Sequence, residues 1–153
     1  MWLLALTFGF SVASALIPVL NVEAYLVVAA SDSTAPTLLL VGAAATGQML
    51  GKVVWYYAGD RLDRVPWLRR KMAKESWHAN VERWRARTEG RPWTTAALLF
   101  TSSLTGLPPF AVVSVVAGLL RTRIEVFVLA GLAGRFLRFW IVLEAARFAW
   151  LLV

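Results

Sequence analysis

The first charged side chain in this sequence is Glu23, set in Asn21-Val22-Glu23-Ala24-Tyr25, five residues after Pro18. A carboxylate at membrane depth is costly unless it is paired or protonated. Glu23 is therefore expected either to load and release a proton during a cycle or to be held by a fixed cation. Two arginines stand in the apolar sequence near the other end: Arg135 and Arg138. They share a helical face with Gly131 and Gly134, so they should turn toward other helices rather than toward lipid. The planar guanidinium fork suits phosphate or carboxylate. The two arginines would then hold a lipid phosphate or pair with Glu23; the plainer alternative is that they mark the cytoplasmic end of a span. Glu144 and Arg147, three apart, would pair with each other on a different face. Pro18, Asn21, Pro108 and Pro109 complete the candidate transport site, because broken backbone at membrane depth survives only where protein or a watery cavity satisfies it.

Interrupted helices must position these side chains. The uncharged stretches 1–22 and 93–120 are broken by Pro18 and by Pro108-Pro109. Proline removes a backbone donor and clashes with the preceding turn, and a spanning helix needs roughly 20 apolar residues. The pieces 93–106 and 110–120 would reach only about 21 and 16 Å. Each broken stretch is expected to be a hairpin that enters the membrane and returns, and matching breaks in two halves point to a transport site. Ser102, Ser103 and Thr105, just before the double proline, should bond to the carbonyls freed by the break.

Behind each break the pattern repeats. A polar turn, Ser31-Asp32-Ser33-Thr34 or Arg121-Thr122-Arg123, leads into an unbroken segment, 36–59 or 124–143, long enough to span. On a helical wheel Ala43, Ala44, Gly47, Gly51, Val54 and Ala58 fall on one face, which would admit another helix closely. Gly131 and Gly134 stand where Gly47 and Gly51 stood. Lys52 lies off that stripe and is expected to snorkel toward water.

Composition agrees with a membrane class. The chain is 59% hydrophobic, with a mean hydropathy of +0.63, more than a soluble core of 153 residues can hide. An all-α integral membrane protein of one domain, 1–153, is expected: half one 1–59, a linker 60–92, and half two 93–153. The net charge of +7 does not point to nucleic acid, because 10 of the 16 Lys and Arg residues fall in that linker. The absence of cysteine excludes disulfides, thiolate metal sites and cysteine nucleophiles. There is no glycine-rich phosphate loop, paired-His metal helix or Gly-x-Ser-x-Gly elbow, so neither an enzyme nor a metal or cofactor is expected. Ala13-Ser14-Ala15 has the form of a cleavage site, but no positive region precedes it and apolar sequence continues past it, so cleavage is not expected.

The linker sets the orientation. Its basic residues outnumber five acids, which by the positive-inside bias makes it cytoplasmic. Val65, Leu68 and Met72 share one helical face, and Trp77, Val81 and Trp84 another, suggesting two amphipathic pieces on the membrane surface. Arg69, Arg70, Lys71, Lys74, Trp77 and Trp84 are the candidate lipid-surface residues. His78, alone in this stretch, is expected at the surface. With the linker inside, the first hairpin opens outward, the second inward, and the two make an inverted repeat.

The run Ile17-Pro18-Val19-Leu20-Asn21-Val22-Glu23, with Gly47-Gln48-Met49-Leu50-Gly51 and Tyr56-Tyr57-Ala58-Gly59-Asp60-Arg61, resembles the first half of the DedA, SNARE-associated or VTT-domain membrane family. Phe100 through Leu107-Pro108-Pro109 to Ala117-Gly118, then Gly134-Arg135-Phe136, is similar to its second half. The resemblance implies an inverted repeat with two re-entrant hairpins in a bacterial inner membrane. It also implies movement of a phospholipid or polyprenyl-phosphate lipid between leaflets, as a scramblase or flippase with possible proton coupling. Membrane lipids, and a second copy in a homodimer, would be the partners. One departure stands out: the family carries arginines around the second hairpin, in a Phe-x-x-Arg-Phe-x-Pro pattern, where this chain has Phe100-Thr101-Ser102-Ser103-Leu104 and Leu107-Pro108-Pro109-Phe110. Two other readings stand beside transport of lipid: a membrane protein whose basic linker recruits partners, and an exporter of small ions or drugs.

Overall fold

The computed structural model describes residues 1–17, 19–31, 34–61, 66, 70, 73 and 75–152, with the side chain of Trp77 outside the description. Among these residues are seven helices: α1 (Trp2–Leu16), α2 (Val22–Ser31), α3 (Thr37–Asp60), α4 (Glu75–Thr88), α5 (Pro92–Thr105), α6 (Phe110–Leu119) and α7 (Ile124–Leu151). Pro109 immediately precedes α6 and Pro92 opens α5, where a missing N–H is tolerated. Among the described residues, α3 and α7 alone are long and apolar enough to cross a membrane. At 1.5 Å per residue they measure about 36 and 42 Å, against about 22, 15, 21 and 15 Å for α1, α2, α5 and α6. Helix α7 runs eight residues beyond the span expected at 124–143, since nothing between Leu143 and Leu151 breaks it.

Neither long helix is a soluble core helix. Leu38, Leu39, Leu50 and Val54 on α3, and Leu129, Trp140 and Ile141 on α7, are exposed, so both present large apolar side chains outward along their length.

Two apolar cores flank the crossing of α3 and α7. In one, Leu40, Val41, Ala44 and Ala45 of α3 pack with Phe139 and Leu143 of α7 and with Val22 and Leu26 of α2. In the other, Met49 and Tyr56 of α3 meet Phe127 of α7, Leu99 of α5, and Phe110, Val113 and Ala117 of α6. The start of α3 thus lies beside the end of α7, and the reverse. The long helices are antiparallel, with α2 toward the Thr37 end and α6 toward the Asp60 end. Arg147 Nη2 donates to Thr37 Oγ1 at 2.5 Å at the first end. At the other, the Tyr56 hydroxyl donates to the Thr122 carbonyl.

Glycine sets the closeness of these crossings. A Cβ on Gly47 would lie 2.5 Å from the Phe8 carbonyl oxygen and 3.0 Å from Ser11 Cβ; one on Gly134 would lie 2.7 Å from the Phe100 oxygen and 2.8 Å from Ser103 Cβ. The spacing of the neighbours, three residues apart in both cases, makes α1 on α3 the counterpart of α5 on α7; Gly134 therefore answers Gly47 rather than Gly51, and Gly131 instead meets Met49 and Phe110. The buried side of α3 does not follow the whole expected stripe: Ala44, Gly47 and Gly51 are buried, but Val54 is exposed, and the contact continues through Tyr56 and Gly59. The reason is that α3 carries α1, α6 and α7 on more than one side, so no single row of small residues describes it.

Candidate functional site

Both breaks leave carbonyls without helical partners, and side chains supply them. Ser14 Oγ donates to the Leu20 carbonyl at 2.7 Å, and Ser102 Oγ donates to the Pro108 carbonyl at 2.8 Å, each reaching six residues ahead across a break. Gln48 Nε2 backs the first with a bond to Ser14 Oγ at 3.0 Å. Ser103 Oγ donates to the Gly131 carbonyl at 2.7 Å, and Thr105 Oγ1 to the Thr101 carbonyl at 2.7 Å. Ser102, and Thr105 through a 3.2 Å bond to the Leu107 carbonyl, thus serve the break as their position predicts, whereas Ser103 bonds a carbonyl of α7 because that helix packs against it.

Cations from the two long helices reach the same breaks. Lys52 Nζ donates to the Ala15 carbonyl at 2.8 Å, and Trp55 Nε1 donates to the same oxygen at 3.1 Å. Lys52 is only 6% exposed, so it does not snorkel. It stands about two turns inside the end of α3, and its ammonium finds a freed carbonyl nearer than water. Arg138 Nη1 donates to the Leu104 carbonyl at 3.0 Å, while Arg138 Nε pairs with Glu23 Oε1 at 2.5 Å. One guanidinium thus joins the acid after the first break to the carbonyl before the second. The cation at the second break comes from α7, not from the hairpin sequence where the family resemblance would put it.

Glu23 is aimed by its own helix start. Asn21 Oδ1 accepts from the Glu23 and Ala24 N–H groups at 2.9 and 3.2 Å, an N-cap that places the carboxylate in the first turn of α2. Asn21 is thereby engaged in positioning Glu23. Pro109 flanks the start of α6, and Pro108 supplies the carbonyl that Ser102 holds. Pro18 lies outside the described residues.

Arg135 and Arg138 are the twelfth and fifteenth of the 28 residues in α7, near its middle, which argues against their marking one of its ends. The Arg135 guanidinium lies over the Phe110 ring, 5.2 Å from its centroid. Its Nε is buried without a hydrogen-bond partner among the described residues. Arg135 stands one turn before Arg138, which pairs with Glu23, and the Phe110 ring it covers meets α3 at Met49, one turn before Lys52, so the four charges lie in one region. Three cations share it with one carboxylate.

Of the linker candidates, Arg69, Lys71, Lys74 and the Trp77 side chain lie outside the described residues, as do Val65, Leu68 and Met72. Arg70 is exposed. Trp84 is half-buried against the core formed by Met49, Leu99 and Val113, and Val81 is buried as well. His78 is exposed, and Glu144 pairs with Arg147 at 3.5 Å. Lys52 is the site residue that helical-wheel reasoning passed over. Its signal was present, as the single charge between Asp32 and Asp60, four residues after Gln48 on one helical face.

The VTT domain family model matches residues 17–147. The chain belongs to the VTT domain family, that of the DedA and SNARE-associated proteins. No curated protein and no solved structure gives a significant match. Membership of the VTT domain family, with two long apolar helices whose large side chains face outward, makes this a membrane protein of the DedA type. The matched region takes in both breaks and all four residues of the charge cluster, so the cluster belongs to the VTT domain itself.

Proposed function

We propose that the protein moves a phosphate-bearing lipid between leaflets, with the headgroup passing through the cluster of Glu23, Lys52, Arg135 and Arg138. The observation that carries this reading is the charge imbalance: among the described residues, three buried or half-buried cations stand against one carboxylate, and Arg135 Nε lacks a hydrogen-bond partner. Uncompensated charge away from water is expensive. An anion beside Arg135 and Lys52 relieves that cost, and guanidinium groups match phosphate geometry.

The packing supports a membrane path. The two broken segments are re-entrant hairpins of opposite orientation, an inverted repeat. Support comes from α2 and α6 lying toward opposite ends of α3, from Ala15 and Leu104 both meeting cations of the central cluster, and from the matched contacts of Gly47 and Gly134. The Asp60 end, next to the basic linker, is cytoplasmic. During transport an incoming phosphate competes with Glu23 for Arg138, and protonation of Glu23 would release the arginine, which is the route to proton coupling.

Proteoliposomes carrying a fluorescent phospholipid, quenched from outside with dithionite, test this. Wild-type protein should expose inner-leaflet lipid to quenching, and Lys52→Met, Arg135→Met and Glu23→Gln should slow exchange by about tenfold, the equivalent of one lost charge-assisted contact. Exchange by folded wild-type protein no faster than in empty liposomes would overturn the proposal.

A further inference from the structure

A second basic site lies away from the central cluster, at the Asp60 end of the bundle. The turn between α4 and α5 and the turn between α6 and α7 border an open cavity of about 450 Å3. Four arginines line it, Arg85, Arg91, Arg121 and Arg123, with Glu89 the one acidic residue among them. Two of the four are already paired: Arg121 with Asp60 at 3.3 Å and Arg85 with Glu82 at 3.3 Å. Arg91 and Arg123 have no acidic partner among the described residues.

Their positions sharpen the point. Arg91 is the N-cap residue of α5 and Arg123 that of α7, and neither helix has a side-chain cap. Ser, Thr, Asp or Asn would be the stabilising choice there, and a cation at the positive end of a helix dipole has the wrong sign. Two helices thus add to the positive field of the same cavity. Arg121 is a third oddity: its φ of 50 places it in the left-handed conformation that glycine favours at a helix end. Local backbone preference does not account for arginine at any of these three positions. A strongly charged anion among them would be held by all three.

We propose that this pocket binds a phosphate monoester. Guanidinium forks recognise its oxygens bidentately, and polar Thr88 and Thr122 complete the wall. The pocket lies where the long helices end, the level at which lipid headgroups meet water. Nothing in the proposal depends on the transport reading, because none of the four central residues lines this cavity.

Titration of the purified full chain in a neutral detergent tests it, with dioctanoyl phosphatidic acid as probe and dioctanoyl phosphatidylcholine as control. Phosphatidic acid should bind at least about tenfold more tightly than phosphatidylcholine. Arg91→Gln with Arg123→Gln should weaken it by about tenfold or more, while Arg87→Gln, beside Thr88 on α4 but not among the residues lining the cavity, should not. Arg121→Gly keeps the test interpretable where the double variant folds poorly, since glycine suits that backbone while the charge is lost. Repeating the titration with Lys52→Met separates this pocket from the central cluster. Competition by inorganic phosphate at comparable concentration would assign the site to free phosphate; its failure to compete would assign it to the lipid headgroup. Equal affinity for the two lipids, or unchanged phosphatidic acid binding in folded Arg121→Gly, would overturn the proposal.

Discussion

Arg138 holds two groups that belong to different parts of the chain, the Glu23 carboxylate and the Leu104 carbonyl. Removing one member of a fully buried pair costs about 3–5 kcal/mol, whereas an exposed pair contributes less than about 1 kcal/mol. The Arg138 and Glu23 side chains are 27% and 30% exposed, so a coupling of about 1–3 kcal/mol is expected in a double-mutant cycle of Glu23→Gln and Arg138→Met. Thermal unfolding in detergent gives the four stabilities required. A coupling near zero would mean that the two charges are held independently and that Arg138 serves mainly the Leu104 carbonyl. Residue types offered this pair as one alternative beside a lipid phosphate or a span end, because an acid and an arginine in apolar sequence have few ways to lower their cost. They did not lead to Lys52, since a lysine near a helix end has water as a competing solution. Only the burial of Ala15 beside α3 decides which solution is taken.

At the scale of elements, breaks are legible and contacts are not. Proline and the length of each apolar piece locate the ends of α5 and α6 to within a residue, because a missing N–H and a ring clash act locally. The partner chosen by each helix depends on surfaces brought together from far along the chain. Gly118 and Gly59 illustrate this: the sequence marks them only through the family resemblance and not as a contact, yet they set the tightest crossing among the described residues. A Cβ on Gly118 would lie 1.8 Å from the Tyr56 carbonyl oxygen, and one on Gly59 2.1 Å from that of Val115. Backbone cannot yield as a flexible side chain does, so Gly118→Ala should cost at least about 1–3 kcal/mol. Gly42 is the control, with nothing within 4 Å of its added Cβ. Gly42→Ala should be neutral or stabilising by up to about 1 kcal/mol, because alanine loses less backbone entropy in a helix. Melting temperatures of the two variants in one detergent compare them directly. Equal destabilisation would show that α3 and α6 do not cross at these glycines.

For the whole molecule, the repeat of contacts between halves matters more than the slight likeness of their sequences. Ser14 and Ser102 each reach six residues ahead across a break, and Phe8 with Ser11 meets Gly47 as Phe100 with Ser103 meets Gly134. Those paired geometries were hidden in the sequence because they need only a serine, a glycine and a carbonyl at the right spacing, which membrane helices supply everywhere. Charge breaks the correspondence. The first break is followed by Glu23, the second by no acid, and the cation that ties them comes from one long helix. If the two broken segments are the proposed re-entrant hairpins, their unlike charges would give the two faces unequal access to the central cluster, which a symmetric arrangement would not. Labelling from either side tests the path. The chain has no cysteine, so single cysteines at Val19 and Leu107, 87% and 75% exposed beside the two breaks, report on each break alone. In oriented vesicles an impermeant maleimide should modify Val19→Cys from the side opposite the linker and Leu107→Cys from the linker side. Modification of both from one side would place the two breaks in a single vestibule. Phosphate would then enter and leave the cluster by the same face, and the protein would bind a headgroup without carrying it across.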